Sequence, residues 1–61
     1  MMNRIKFFRE KNKLSQKDIS EKLGVKQSTI SDWEREYRNP SIKKAIALAK
    51  ALNTTVEELY K

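Results

Sequence analysis

The spacing of helix starts and stops constrains this chain more than any other feature, because it leaves no room for a long element. Ser15 and Asp18 stand in the pattern of a capping box, in which the serine accepts from a backbone N–H three residues on and the acid reaches back to the serine's own N–H. Gly24, the one glycine in the chain, follows as a residue free to take the left-handed backbone that closes a helix. A helix held between these marks has about two turns. Pro40-Ser41 marks a later start, with Ser41 as N-cap of a helix from Ile42 to about Leu52. Thr55-x-x-Glu58 forms a second capping box for a closing turn with Val56 and Leu59. With an opening helix from about Asn3 to Asn12 and a third from about Gln27 to Arg35, the reading is five short helices. No stretch alternates apolar and polar residues as a strand does.

Helices this short are marginal alone, so their apolar faces must find one another. The opening helix offers Ile5 and Phe8 on one face, with Phe7 off that stripe and Arg4, Lys6, Arg9 and Lys11 mostly elsewhere. Ile19 and Leu23 face inward from the second helix, Val25 from the turn after it, and Ile30 and Trp33 from the third. The other side of that third helix is Ser28, Ser31, Asp32 and Arg35. The fourth helix repeats Ile42, Ala45, Ile46, Ala49 and Leu52 at helical spacing, which predicts that stripe as its buried face. Trp33 and Phe8 read as core and not as stacking platforms, because each sits three residues from an isoleucine.

At 61 residues the chain is expected to be one domain, 1–61, with no linker, low-complexity tract or internal repeat to divide it. Cysteine and histidine are both absent, which excludes disulfides, thiol chemistry, zinc fingers and histidine-based nucleophile systems. Ser15, Asp18 and the pair Glu57-Glu58 have no base or ligand set around them, so no catalytic step, metal, cofactor or small-molecule ligand is expected. The longest apolar run, Ala45 to Ala49, is far below the ~20 residues that span a bilayer, and no signal-type segment leads the chain. The expected location is the cytoplasm of a prokaryotic cell or a phage-infected host. Fourteen basic residues against eight acidic ones give +6, a balance that points to nucleic acid. The excess lies in residues 1–26, with eight basic and three acidic side chains. A basic membrane-surface helix is excluded because the lysines are spread over several capped helices.

Two short helices joined through Gly24 are the ingredients of a helix-turn-helix, here about 16–35, whose second helix is free to enter a major groove. The run Leu14-Ser15-Gln16-Lys17-Asp18-Ile19-Ser20-Glu21-Lys22-Leu23-Gly24-Val25, followed by Ile30-Ser31-Asp32-Trp33-Glu34 and Asn39-Pro40-Ser41, resembles the XRE family of phage Cro and CI repressors. The segment from Arg4 to Glu10, and Ala49-Lys50-Ala51-Leu52 with Val56 and Leu59, extend the resemblance over nearly the whole chain. It implies an all-α, five-helix lambda-repressor-like DNA-binding domain with a central helix-turn-helix. The implied role is a stand-alone transcriptional regulator, a repressor that binds double-stranded DNA with its third helix in the major groove. In that family the positions matching Gln27, Ser28 and Asp32 read bases, while the one matching Gln16 touches phosphate and braces the side chain at Gln27. Arg9 and Glu34 match positions that form an internal ion pair between the first and third helices.

The side chains have the chemistry for these roles. The Gln27 amide matches adenine N6 and N7, the hydroxyls of Ser28, Thr29 and Ser31 suit base edges or phosphates, and Asp32 accepts only from a donor such as cytosine N4. Phosphate positioning falls to Lys13, Lys17, Lys26, Arg35, Arg38, Asn39 and Lys43. One recognition helix reads only a few base pairs, so a homodimer on a two-fold operator is expected, with half-sites about 10 bp apart. Val56, Leu59 and Tyr60, close to the last residue Lys61, are its expected interface, unless Val56 and Leu59 serve the core.

Three positions depart from the family pattern. Glu36 stands where glycine usually follows the recognition helix, so either the loop takes another path or a left-handed glutamate costs about 1 kcal/mol. Lys26 replaces the usual Ser or Thr cap, and Ser20 replaces the commoner alanine, which suits the site if its hydroxyl bonds back to its own helix. Asp32, Glu34 and Glu36 also motivate a rival reading: an antitoxin or anti-repressor type of protein-interaction module that keeps the fold and turns its third helix to another protein.

Overall fold

Each helix begins and ends where side chains or turns supply partners for the free backbone groups. The computed structural model describes residues 3–61; Met1 and Met2, where the expected domain 1–61 begins, lie outside the described residues. Five helices, and no strand among the described residues, follow in the order α1 (Ile5–Lys11), α2 (Gln16–Leu23), α3 (Gln27–Glu34), α4 (Ile42–Ala51) and α5 (Val56–Leu59). The opening helix is shorter than its expected span because Asn3 stays outside it. The Asn3 side chain accepts from Ile5 N–H at 3.1 Å and donates to the Trp33 carbonyl at 2.8 Å.

At α2 both halves of the capping box form. Asp18 N–H donates to Ser15 Oγ at 3.0 Å and Ser15 N–H donates to the Asp18 carboxylate at 2.8 Å. The backbone bond from Ser15, then its hydroxyl, hold the Asp18 carboxyl below its ordinary range. A folded-state pKa below the unfolded one means stabilisation that is present above about pH 3.9 and is lost as pH falls through the folded-state value. Urea midpoints followed into acid will therefore fall less steeply for Asp18→Ala than for the native chain; equal slopes would remove the capping box from the account.

The second expected box is only half made. Glu58 N–H donates to Thr55 Oγ1 at 3.1 Å, but the Glu58 carboxylate turns instead to Arg4 and Lys61, each 3.6 Å away. Exposed cations compete with a single N–H for that carboxylate, and α5 is too short to hold the side chain back.

Four connections pass through a left-handed residue: Lys13, Gly24, Glu36 and Asn53. Glu36 has φ +62°, so the loop follows the family path and the glutamate takes the strain. Glu36 N–H bonds to the Trp33 carbonyl and Tyr37 N–H to that of Asp32, the two bonds of a Schellman closure after α3. Its carboxylate accepts from Asn3 N–H at 2.9 Å, which recovers part of that cost at an exposed site. Glu36→Gly is expected to stabilise the fold by about 0.5 kcal/mol, the strain relieved less the glycine entropy and this bond, read as a higher denaturation midpoint with an unchanged m value.

The core joins all five helices: Ile5, Ile19, Ile30, Trp33, Leu48, Ala49, Leu52 and Leu59, with Phe8, Leu14, Leu23, Val25 and Val56 among the residues packed against it. Trp33 and Phe8 take the core places read from their spacing, and Phe7 stays exposed. The stripe expected on α4 needs correction. Ile42 is 78% exposed and Ile46 46% exposed, whereas Leu48, outside the expected stripe, is 0% exposed. Leu48 and Ile46 flank the shared strip Ala45, Ala49 and Leu52 on opposite sides, at 100° per residue. The two alanines are buried in α4's inner face, and Leu48 fills the space on one side. Lys44 on that same flank reaches from α4 to the Leu23 carbonyl at 2.9 Å, capping the end of α2.

Candidate nucleic-acid interface

The geometry of the α2–α3 pair follows from a small set of turn residues. Val25 N–H bonds to the Ser20 carbonyl across Gly24, and the extended Lys26 (φ −72°, ψ 150°) starts α3 at an angle to α2. Ser20 is buried and donates its hydroxyl to the Lys17 carbonyl at 2.7 Å, so the departure from alanine is satisfied within its own helix. Lys26 supplies no side-chain cap, as its cationic head requires. Ile30 and Trp33 anchor α3 in the core, so the opposite side of the helix faces out.

Along α3 Gln27 and Ser28 are exposed, while Thr29, Ser31 and Asp32 are half-buried. Lys13, Lys17, Lys26, Arg35, Arg38, Asn39 and Lys43 are all exposed. They do not all stand alone. Arg38 lies 3.9 Å from Asp32, so the acid on α3 has a cation beside it, and Arg35 stacks over Tyr37 at 4.7 Å. Tyr37, which the sequence reading did not assign a role, is 70% exposed beside Arg38.

Beneath this surface Arg9 pairs with Glu34 as expected. Arg9 Nε lies 2.6 Å from Glu34 Oε2 and Nη2 lies 3.3 Å from Oε1, with side chains only 11% and 6% exposed. Arg9 Nη1 also donates to the Leu14 carbonyl at 2.9 Å. Gln16 joins the pair: its Nε2 donates to Glu34 Oε1 at 3.1 Å. No hydrogen bond joins Gln16 to Gln27 among the described residues; the Gln16 amide is turned to the Glu34 carboxylate.

Of the expected interface residues, Leu59 is 0% exposed and is corrected to the core. Val56 and Tyr60 pack on that core with partial exposure. Burial of the Tyr60 phenol, and then the charge of Glu36, push it above the ordinary tyrosine range. No helix among the described residues is long and apolar enough to cross a membrane, and no three His, Cys, Asp or Glu side chains there group as a metal site.

A short helix, a turn through a left-handed glycine and a second helix with an anchored inner face define a helix-turn-helix unit. The family model described as Helix-turn-helix matches residues 5–59, and the chain belongs to this XRE-type family. An uncharacterized HTH-type transcriptional regulator of Methanocaldococcus jannaschii is 35% identical over 60 residues, covering 98% of this chain and 91% of that protein. The DNA-binding domain of the P22 C2 repressor superposes with a TM-score of 0.86 at 36% identity, over 92% of this chain and 74% of that one. The biofilm master regulator SinR, in its structure in complex with DNA, superposes at 0.82 with 35% identity, over 92% and 90% of the two chains.

Proposed function

We propose that this chain is a sequence-specific, double-stranded-DNA-binding transcriptional repressor that occupies a two-fold operator as a homodimer. The observation that carries the reading is the outer side of α3. Ile30 and Trp33 hold the helix in the core while Gln27 and Ser28 stand free in solvent at its first turn, on a chain of net charge +6. A bidentate amide at that place suits adenine, and the cations around it suit the flanking phosphates. Pairing of Asp32 with Arg38 lowers the cost of an acid near DNA, which favours this reading over a protein-binding use of the same face. The family's regulators, and SinR on DNA, support the same role. Dimerisation then draws on Val56 and Tyr60, with Leu59 committed to the core. No chemical step belongs to this role, since blocking a promoter requires occupancy alone.

The test is selection of bound duplexes from a randomised pool, followed by anisotropy at several salt concentrations. A two-fold symmetric site is expected to emerge. Gln27→Ala is expected to relax preference at one position per half-site, costing about 1–3 kcal/mol there, with the salt slope unchanged because no phosphate contact is lost. An unenriched pool, or a Gln27→Ala chain with native preferences, would turn the search to a protein partner.

A further inference from the structure

We propose that Glu34, although buried behind the reading surface, is a positioning residue for DNA binding: held by Arg9, it sets the orientation of the Gln16 side-chain amide. The inference rests on the DNA-binding reading above. A carboxylate offers only acceptors, so it faces the nitrogen of the Gln16 amide and not its oxygen. The 3.1 Å bond to Glu34 Oε1 therefore fixes which way round the amide lies, and leaves its carbonyl oxygen and second N–H to face other partners. The carboxylate is itself held on both oxygens by Arg9, which is tied in turn to the Leu14 carbonyl just ahead of α2.

A structural ion pair between α1 and α3 needs no third member on α2. Gln16, at the first position of α2, is a half-buried amide whose flexible stem would otherwise lose its rotamer freedom on binding. Held beforehand, it loses less, and its remaining N–H is ready for a phosphate oxygen. Glu34 thus acts on DNA through Gln16 without touching it. In Glu34→Gln the neutral amide offers both a donor and an acceptor, so Gln16 is free to lie either way.

The experiment is a double-mutant cycle on affinity for the duplex enriched from the randomised pool, with Gln16→Ala, Glu34→Gln and the two combined. Each chain is measured at a temperature where its melting curve shows it folded. Gln16→Ala is expected to weaken binding roughly five- to tenfold, the loss of one charge-assisted contact; Glu34→Gln, which returns only the freedom of that amide, about two- to fivefold; and the double no more than Gln16→Ala alone. Losses that multiply, or native affinity for either single variant, overturn the proposal. Should Glu34→Gln fail to fold, Arg9→Lys takes its place in the cycle, since it keeps the charge and loosens the carboxylate. A readout without DNA runs alongside: the two side-chain amide protons of Gln16 are expected to be more widely separated in the NMR spectrum of the native chain than in Glu34→Gln or Arg9→Lys. Unchanged separation overturns the hydrogen-bond lock. A native chain that shows the separation but binds no duplex in the pool overturns the DNA reading and this use of the lock together.

Discussion

Arg9→Ala is expected to destabilise the chain by about 3–5 kcal/mol, because it leaves the Glu34 carboxylate buried without its cation. A domain of 61 residues holds only roughly 3–9 kcal/mol in total, so the variant should be largely unfolded near body temperature. Its melting midpoint should drop by about 15–30 °C. The loss is greater than that of an exposed ion pair because neither side chain has water to fall back on. Three bonds end at once: two to Glu34 and one to the Leu14 carbonyl. The combined change Arg9→Met with Glu34→Leu should recover most of the stability, since filling the site with apolar groups removes the orphaned charge. Thermal melts followed by circular dichroism decide the matter. A midpoint for Arg9→Ala within a few degrees of the native chain would show that the carboxylate has solvent access and that the pair is ornamental to the fold.

Leu48→Ala is expected to cost about 2–5 kcal/mol, whereas Ile46→Ala and Ile42→Ala should each change stability by about 0.5 kcal/mol or less. Leu48 is fully enclosed among the core residues, and its truncation leaves a cavity that Ala45 and Ala49 beside it cannot fill. Ile42 and Ile46 lose little contact when shortened, and alanine is the better helix former at an exposed site. Chemical denaturation of the three variants separates the two faces of α4. A larger loss at Ile46 than at Leu48 would restore the stripe that apolar spacing alone suggests.

That stripe marks where local pattern stops being informative. On α4 the apolar residues run around more than half the helix, so two flanks of the Ala45, Ala49 and Leu52 strip were both open to burial. Spacing ranks them equally, and the choice falls to whatever α2 and α5 present. Leu59 shows the same limit. An apolar residue near the end of the chain reads alike as core or interface until its neighbours are in place. Glu58 was legible as a cap but not as a partner of Arg4, a residue more than fifty positions away that comes near only because Arg4 N–H bonds to the Leu59 carbonyl.

The candidate site divides in the same way. Gln27 and Ser28 were legible because a helix anchored through Ile30 and Trp33 has only one side left to expose. The Arg9 and Glu34 pair was legible from family resemblance, since no local spacing relates residues on different helices. Gln16 bonding to Glu34 was not legible, because a long amide with several acceptors in reach chooses by distance and charge.

By itself, then, the sequence determined the number of helices, their starts at Ser15, Ser41 and Thr55, the turn at Gly24, and the polarity of α3. These are effects of residues within a few positions of one another, where backbone geometry leaves few alternatives. Only the tertiary structure decided which flank of α4 is buried, that Leu59 belongs to the core, and that Glu36 takes a left-handed backbone with Asn3 bound to its carboxylate. Each of those outcomes depends on contacts between segments distant in the chain, and their energies exist only once the helices have packed.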